Sequence, residues 1–135
     1  MNINTSIVVI FILFLNNKIL VEKRKLPEYK NLQILIPGGR IKKGEDIKDA
    51  LIREMKEELG ITPTNYYLLP SDLEIFGLAN QTLLPFLIKD WIGDLPEKIL
   101  DKGNKIEWIE ICEVLKTEIK PTKEIVKALI KHLSS

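Results

Sequence analysis

Nine consecutive apolar residues, Ile7 to Leu15, set the first element of this chain. The run is rich in β-branched side chains (Ile7, Val8, Val9, Ile10, Ile12) and ends at Asn16 and Asn17, residues that tolerate a left-handed turn. That pattern predicts a buried strand entering a hairpin. Lys18 to Lys23, with Ile19, Leu20 and Val21 at its centre, is the returning strand, and Arg24 lies just beyond it. Pro27 to Asn31 is a polar loop. Leu32 to Ile36 is a short strand stopped by Pro37, Gly38 and Gly39, and Arg40 to Gly44 is a second loop.

From Glu45 to Leu59 the period changes: Ile47, Leu51, Met55 and Leu59 recur every fourth residue, and Gly60 stands where a helix stops. Strand patterns follow at Leu73 to Leu78, Leu83 to Lys89 and Lys105 to Ile111, with a loop holding Gly93, Pro96 and Gly103 between the last two. Pro121 and Thr122 open a final helix whose Ile125, Val126, Leu129, Ile130 and Leu133 share one face. Strands combined with two separated amphipathic helices predict a mixed α/β sandwich, and 135 residues without a linker or repeat predict one domain over 1–135.

Charge narrows the function classes. With 20 basic and 19 acidic residues, the net charge is +1, so no general attraction to nucleic acid or an acidic membrane is expected, and no DNA-binding segment stands out. The apolar start is too short to span a bilayer as a helix, no Lys or Arg precedes it and no small-residue cleavage site follows, so a cytoplasmic protein is expected. One cysteine and one histidine exclude a disulfide framework and a Cys/His zinc site. Cys112, in an apolar run, reads as a buried structural thiol, and His132 as a surface residue of the last helix.

The central helix carries Glu54, Glu57 and Glu58 within little more than one turn. On a wheel of about 100° per residue starting at Ile47, Glu58 falls at about 20°, inside the apolar arc, and Glu54 at its edge. An unpaired carboxylate there is costly, so a partner is expected. Arg53 can pair with Glu57 at i,i+4, but such pairs contribute only a few tenths of a kcal/mol on an exposed helix. A divalent cation accounts for three acids at this spacing: Mg²⁺ prefers hard oxygen ligands and joins carboxylates to substrate phosphates. The upstream glycines let backbone approach the same point, while Arg24 and Arg40 are placed to neutralise phosphate charge.

Gly39, five residues, Glu45, seven residues, then Arg53, Glu54, Met55, Lys56, Glu57, Glu58, Leu59, Gly60 and Ile61 resemble the complete Nudix box, with Met55 where Ile, Leu or Val is usual. The resemblance implies an α/β/α sandwich with a mixed sheet, the box forming a loop, helix and loop. It implies Mg²⁺ or Mn²⁺ bound by Glu54, Glu57 and Glu58 with a backbone carbonyl near Gly38. Arg53 would orient a glutamate by ion pairing, and Glu45 would support the loop. Beyond the box, ILVEKR ending at Arg24, GITP, KDWIGDLP, IEWIEI and KPTKEIVKAL are similar in order to the MutT-like nucleoside triphosphate branch. Hydrolysis of a nucleoside triphosphate to a monophosphate and pyrophosphate is therefore the implied activity, and Arg24 with Gly39 and Arg40 the implied phosphate contacts.

Two departures bear on the substrate. Lys123 stands where MutT-like enzymes that read an oxidised guanine have an asparagine, and Phe76 and Gly77 stand where hydrolases of ADP-ribose often carry a proline. Family members also draw a base from a loop outside the box, for which Glu97 and Asp101 are the candidates. Trp91 and Trp108 are candidate base-stacking residues, although aromatic residues in strands are usually core. Nucleotide sugars, dinucleoside polyphosphates, capped RNA and a non-catalytic nucleotide sensor are the alternatives, the sensor being disfavoured by an intact set of box glutamates. Oligomeric state, monomer or homodimer, is not readable from these patterns.

Overall fold

A computed structural model of the chain describes residues 6–70, 75–76, 81–94, 98–99 and 104–134. The order is β1 (Ser6–Leu15), β2 (Lys18–Arg24), β3 (Gln33–Leu35), β4 (Gly38–Arg40), α1 (Ile47–Leu59), β5 (Thr62–Leu68), β6 (Ile75–Phe76), β7 (Gln81–Ile92), β8 (Lys98–Ile99), β9 (Lys105–Glu110), α2 (Ile111–Val114) and α3 (Lys120–Leu133). The sheet is mixed: β1 runs parallel to β7 from Ser6↔Gln81 to Leu13↔Ile88, while the other pairings are antiparallel.

The unbroken apolar run of β1 is explained by burial on both faces. Val8, Ile10 and Ile12 pack with Ile125, Val126 and Leu129 of α3, whereas Val9, Phe11 and Leu13 pack with Leu51, Met55 and Leu59 of α1. Side chains alternate across a strand, so a strand between two helical layers must be apolar at every position. The result is the expected α/β/α sandwich. Among the described residues no helix is long and apolar enough to cross a membrane.

The feature that shapes the site is a divergence of β1 and β2. They pair only beside their turn, at Phe14↔Ile19 and Leu15↔Lys18, where Asn16 and Asn17 take positive φ of 52° and 62°. Farther from the turn β3 pairs with β2 and β4 with β1, so the bent segment 33–40 enters between them. Pro37 lies at the bend, and its carbonyl accepts from the Phe11 amide at 3.0 Å.

Several sequence expectations change. Gly38 and Gly39 do not simply end a strand; they form β4, which the absence of side chains permits, since a Cβ on Gly38 would lie 2.5 Å from the Val9 carbonyl oxygen. Residues 62–68, to which the sequence patterns assign no element, form β5 on the β7 edge, with register irregularities from Pro63 to Tyr66 that accommodate the proline. Cys112 is exposed rather than buried. The strand ends at Glu110, and the helical period of α2 turns Ile111 and Val114 inward and Cys112 outward. Of the predicted strand at Leu73 to Leu78, only Ile75 and Phe76 are described, as β6.

Candidate active site

The box helix is fixed at both ends. Gly60 takes φ 72° and its amide reaches the Lys56 carbonyl, a left-handed helix stop. At the other end Asp46 flanks Ile47, and Glu45 folds back so that its carboxylate accepts from the Lys42 amide at 3.0 Å. The loop before α1 is thereby tied to itself before it is tied to the helix.

Arg53 makes the second tie. Its Nε and Nη2 donate to the two Glu45 oxygens at 2.8 and 2.9 Å, Nη2 also donates to the Arg40 carbonyl at 3.0 Å, and Nη1 donates to Glu54 Oε1 at 2.7 Å and Glu57 Oε2 at 3.2 Å. The bidentate Glu45 contact uses the planar fork that only arginine offers. It holds the Glu45 carboxyl down at about 2, chiefly through the Arg53 hydrogen bonds and then the Lys42 amide. In turn, Glu45 and then Glu54 hold the Arg53 guanidinium above its ordinary range.

The acids are distributed differently from the wheel. Glu54, not Glu58, turns inward: it is buried, while Glu58 and Glu57 are exposed, and Ile47 is 36% exposed at the helix start. The apolar arc rotates toward Ala50 because α1 packs on β1 through Ala50, Leu51, Met55 and Leu59. Glu54 is tolerated because Arg53 neutralises one oxygen. Its carboxylate lies against Gly39, where an added Cβ would overlap it.

Glu58 has the opposite balance. Its carboxyl is raised by burial first, then by the charges of Glu54 and Glu22, with Arg24 opposing and Glu57 adding to the rise. Although the side chain lies on an exposed turn, the like charges act in the same direction whatever its exposure. Three neighbouring carboxylates thus raise the Glu58 carboxyl and one guanidinium, Arg24, opposes them.

Whether these residues fit a divalent cation is answered by the cradle at Gly39. It brings a carboxylate onto bare backbone beside Gly38, in a region with surplus negative charge at Glu58. Carboxylate and carbonyl oxygens are the donors Mg²⁺ and Mn²⁺ prefer. Among the described residues no three acidic, His or Cys side chains converge on one point; Arg53 instead draws Glu54 and Glu57 to itself.

Beside the box, where β1 and β2 diverge, is a cavity of about 270 Å³. Val8, Ile10, Leu35, Ile36, Leu83 and Ile125 give it apolar walls, and the polar residues Glu22, Arg24, Gln81 and Thr122 border it. Gly38 lines it too, so the cavity reaches the residue that precedes the box. Arg24 is half-exposed, with its Nε 3.5 Å from Glu22 Oε1. Arg40 is exposed and does not line this cavity; its carbonyl is what reaches Arg53. Glu97 and Asp101 lie outside the described residues. Trp91 and Trp108 pack together, 6.2 Å between ring centroids, against the α1-side core and do not line the cavity. Lys123 does not line it either, while its neighbour Thr122 does.

Glu22 is the residue that sequence reasoning passed over. The signal was present: strand alternation puts Glu22 two residues from Arg24, on the same face of β2. His132 also proved less plain than a surface residue, since its Nε2 lies 2.6 Å from the Tyr67 hydroxyl.

A mixed α/β/α sandwich, a loop and helix locked by one arginine, and acids against a glycine together mark the class of enzymes to which the chain belongs. The chain belongs to the Nudix family, whose domain model matches residues 5–130, and it is a Nudix pyrophosphohydrolase. It is 30% identical over 118 residues to an 8-oxo-dGTP diphosphatase of Escherichia coli (strain K12), covering 87% of this chain and 89% of the relative. Its fold matches a MutT NUDIX hydrolase from Burkholderia pseudomallei with a TM-score of 0.73 at 20% identity, over 93% and 98% of the two chains. It also matches an ADP compounds hydrolase with a TM-score of 0.75 at 13% identity, over 99% and 76%.

Proposed function

We propose that this chain hydrolyses a nucleoside triphosphate to a nucleoside monophosphate and pyrophosphate, acting in the cytoplasm with Mg²⁺ or Mn²⁺. The observation that carries the reading is an adjacency: the cavity with apolar walls reaches Gly38, next to Gly39 where the Glu54 carboxylate lies, and Arg24 both lines the cavity and bears on Glu58. A base and sugar occupying the cavity place their phosphates beside Glu54, Glu57 and Glu58. A cavity of this size, just below the usual range for drug-sized ligands, suits one nucleoside better than two. The match over most of an 8-oxo-dGTP diphosphatase supports the triphosphate class.

Glu54, Glu57 and Glu58, with the Gly38 carbonyl, would hold the cation, which when bound polarises phosphoryl oxygen and lowers the pKa of water. Arg24 neutralises phosphate charge at the cavity mouth, and the amides of Gly39 and Arg40 border the same point. Arg53 is a positioning residue: it sets the Glu54 and Glu57 carboxylates by holding one oxygen of each, leaving the second free. A carboxylate of the box, or Glu97 or Asp101 from the loop outside it, takes the proton from the attacking water.

The test is a panel of nucleoside triphosphates, ADP-ribose, a nucleotide sugar and a dinucleoside polyphosphate with Mg²⁺, resolving pyrophosphate from phosphate release. Pyrophosphate from a nucleoside triphosphate is expected, with Glu57→Gln slower by about 10³-fold. Hydrolysis of none of the panel, or a Glu57→Gln rate equal to wild type, would refute the reading.

A further inference from the structure

We propose that Glu22 reads the sugar of the substrate, its carboxylate accepting hydrogen bonds from ribose hydroxyls and so favouring ribonucleotides over 2′-deoxyribonucleotides. This rests on the nucleotide reading above and goes beyond it.

Position is the first argument. Glu22 lines the cavity together with Arg24 and Gly38, and its charge is felt at Glu58. It therefore borders both the box acids and the cavity whose apolar walls include Ile10, Leu83 and Ile125. A nucleotide with its phosphates at the box and its base among those walls carries its sugar past this point.

Chemistry is the second argument. An ionised carboxylate accepts hydrogen bonds and donates none, so it repels a phosphate and has nothing to offer a carbonyl edge. A ribose carries a 2′-hydroxyl donor that a deoxyribose lacks, and acidic residues read that hydroxyl in dinucleotide sites. Arg24, at 3.5 Å from Glu22 Oε1, engages one side of the group and leaves Oε2 for a substrate.

Rigidity is the third argument. Glu22 sits in the middle of the sheet, paired across to Leu35 on one side and Ile106 on the other, and its side chain is 19% exposed. A group fixed in this way discriminates better than one on a loop, because it does not relax when its partner is missing.

The experiment compares kcat/KM for ATP with dATP and GTP with dGTP, using the full chain with Mg²⁺, in wild type, Glu22→Ala and the isosteric Glu22→Gln. Wild type is expected to favour the ribonucleotide by about tenfold or more, the value of one hydrogen bond to a charged group. In Glu22→Ala that ratio falls toward one, with the change in KM, and Glu22→Gln is intermediate because its amide oxygen still accepts. A wild-type preference for the deoxy substrate overturns the proposal. So does a fall in both substrates by the same factor, the signature of a residue that only aims Arg24; circular dichroism of each variant separates that from misfolding. If wild type hydrolyses no nucleoside triphosphate, the broader reading fails and takes this one with it. Hydrolysis with an unaltered ratio sinks the sugar reading alone.

Discussion

At the scale of single residues, the two glycines of the box loop carry different burdens, and substitution separates them. A Cβ at Gly39 meets the end of the Glu54 side chain, which can swing away. Gly39→Ala should therefore displace the carboxylate and lower kcat by about 10²-fold, the cost of misplacing a reacting group by an ångström, while the urea midpoint moves little. At Gly38 the obstacle is backbone, the Val9 carbonyl, with Ile10 Cδ1 at 2.7 Å. Gly38→Ala should cost about 1–3 kcal/mol of stability before any effect on chemistry. Equal urea midpoints for the two variants would contradict this division. Glu45 provides a pH test. Its folded pKa is depressed from 4.5 to about 2, so the folded state binds its proton less readily than the unfolded state. Its contribution is full above about 4.5 and is lost as pH falls through about 2. Thermal unfolding at pH 7, 4 and 2.5 should show Glu45→Gln well below wild type at pH 7, with the gap narrowing at pH 2.5; a constant gap would mean that ionisation of Glu45 is not what stabilises the clamp.

At the scale of elements, α1 depends on how it stops. Gly60 has φ 72° and nothing within 4 Å of an added Cβ, so Gly60→Ala costs backbone strain alone. About 1–2 kcal/mol is expected by urea denaturation, and no loss would mean that the stop tolerates an L side chain. This stop was readable in the sequence, as were the turn at Asn16 and Asn17, the two longer helices and the burial of β1, because each rests on a strong local pattern. What escaped was tertiary. β4 is built on glycines, which carry no strand signal, and β5 contains Pro63, which looks like a break unless an edge position is already known. The helix wheel placed Glu58 on the core side because it counts apolar neighbours. The direction in which α1 leans on β1 decides instead, and it selects Glu54. For the candidate site, the spacing of box residues brought Glu45, Arg53, Glu54 and Glu57 into contact as a set. The cavity residues Glu22, Gln81 and Thr122 come from three separate segments, so no local pattern joins them.

At the scale of the whole molecule, the proposed cation site would make the crowded acids couple folding to metal and substrate. Glu58 has its carboxyl raised, so the folded state binds that proton more readily than the unfolded state. The sign is then opposite to Glu45: stability falls as pH rises through the Glu58 titration, and near neutral pH the full penalty of its ionised form is present. Glu58→Gln should consequently raise the melting temperature of metal-free protein at pH 7, even though it removes a proposed ligand. Adding Mg²⁺ with a non-hydrolysable triphosphate analogue should reverse the ranking. At ligand concentrations about 100 times Kd, wild type gains about 2.7 kcal/mol. For a chain of this size that raises the melting temperature by several degrees, on the order of 5–15 °C. The variant, lacking one charge for the cation, should gain less. Scanning calorimetry of both proteins in EDTA, in Mg²⁺ alone, in analogue alone and in both decides the matter. If Mg²⁺ with analogue gives no more than the sum of the separate shifts, the cation does not bridge the acids to the phosphates. If Glu58→Gln melts below wild type in EDTA, the repulsion assigned to Glu58 is not what limits the stability of the metal-free fold.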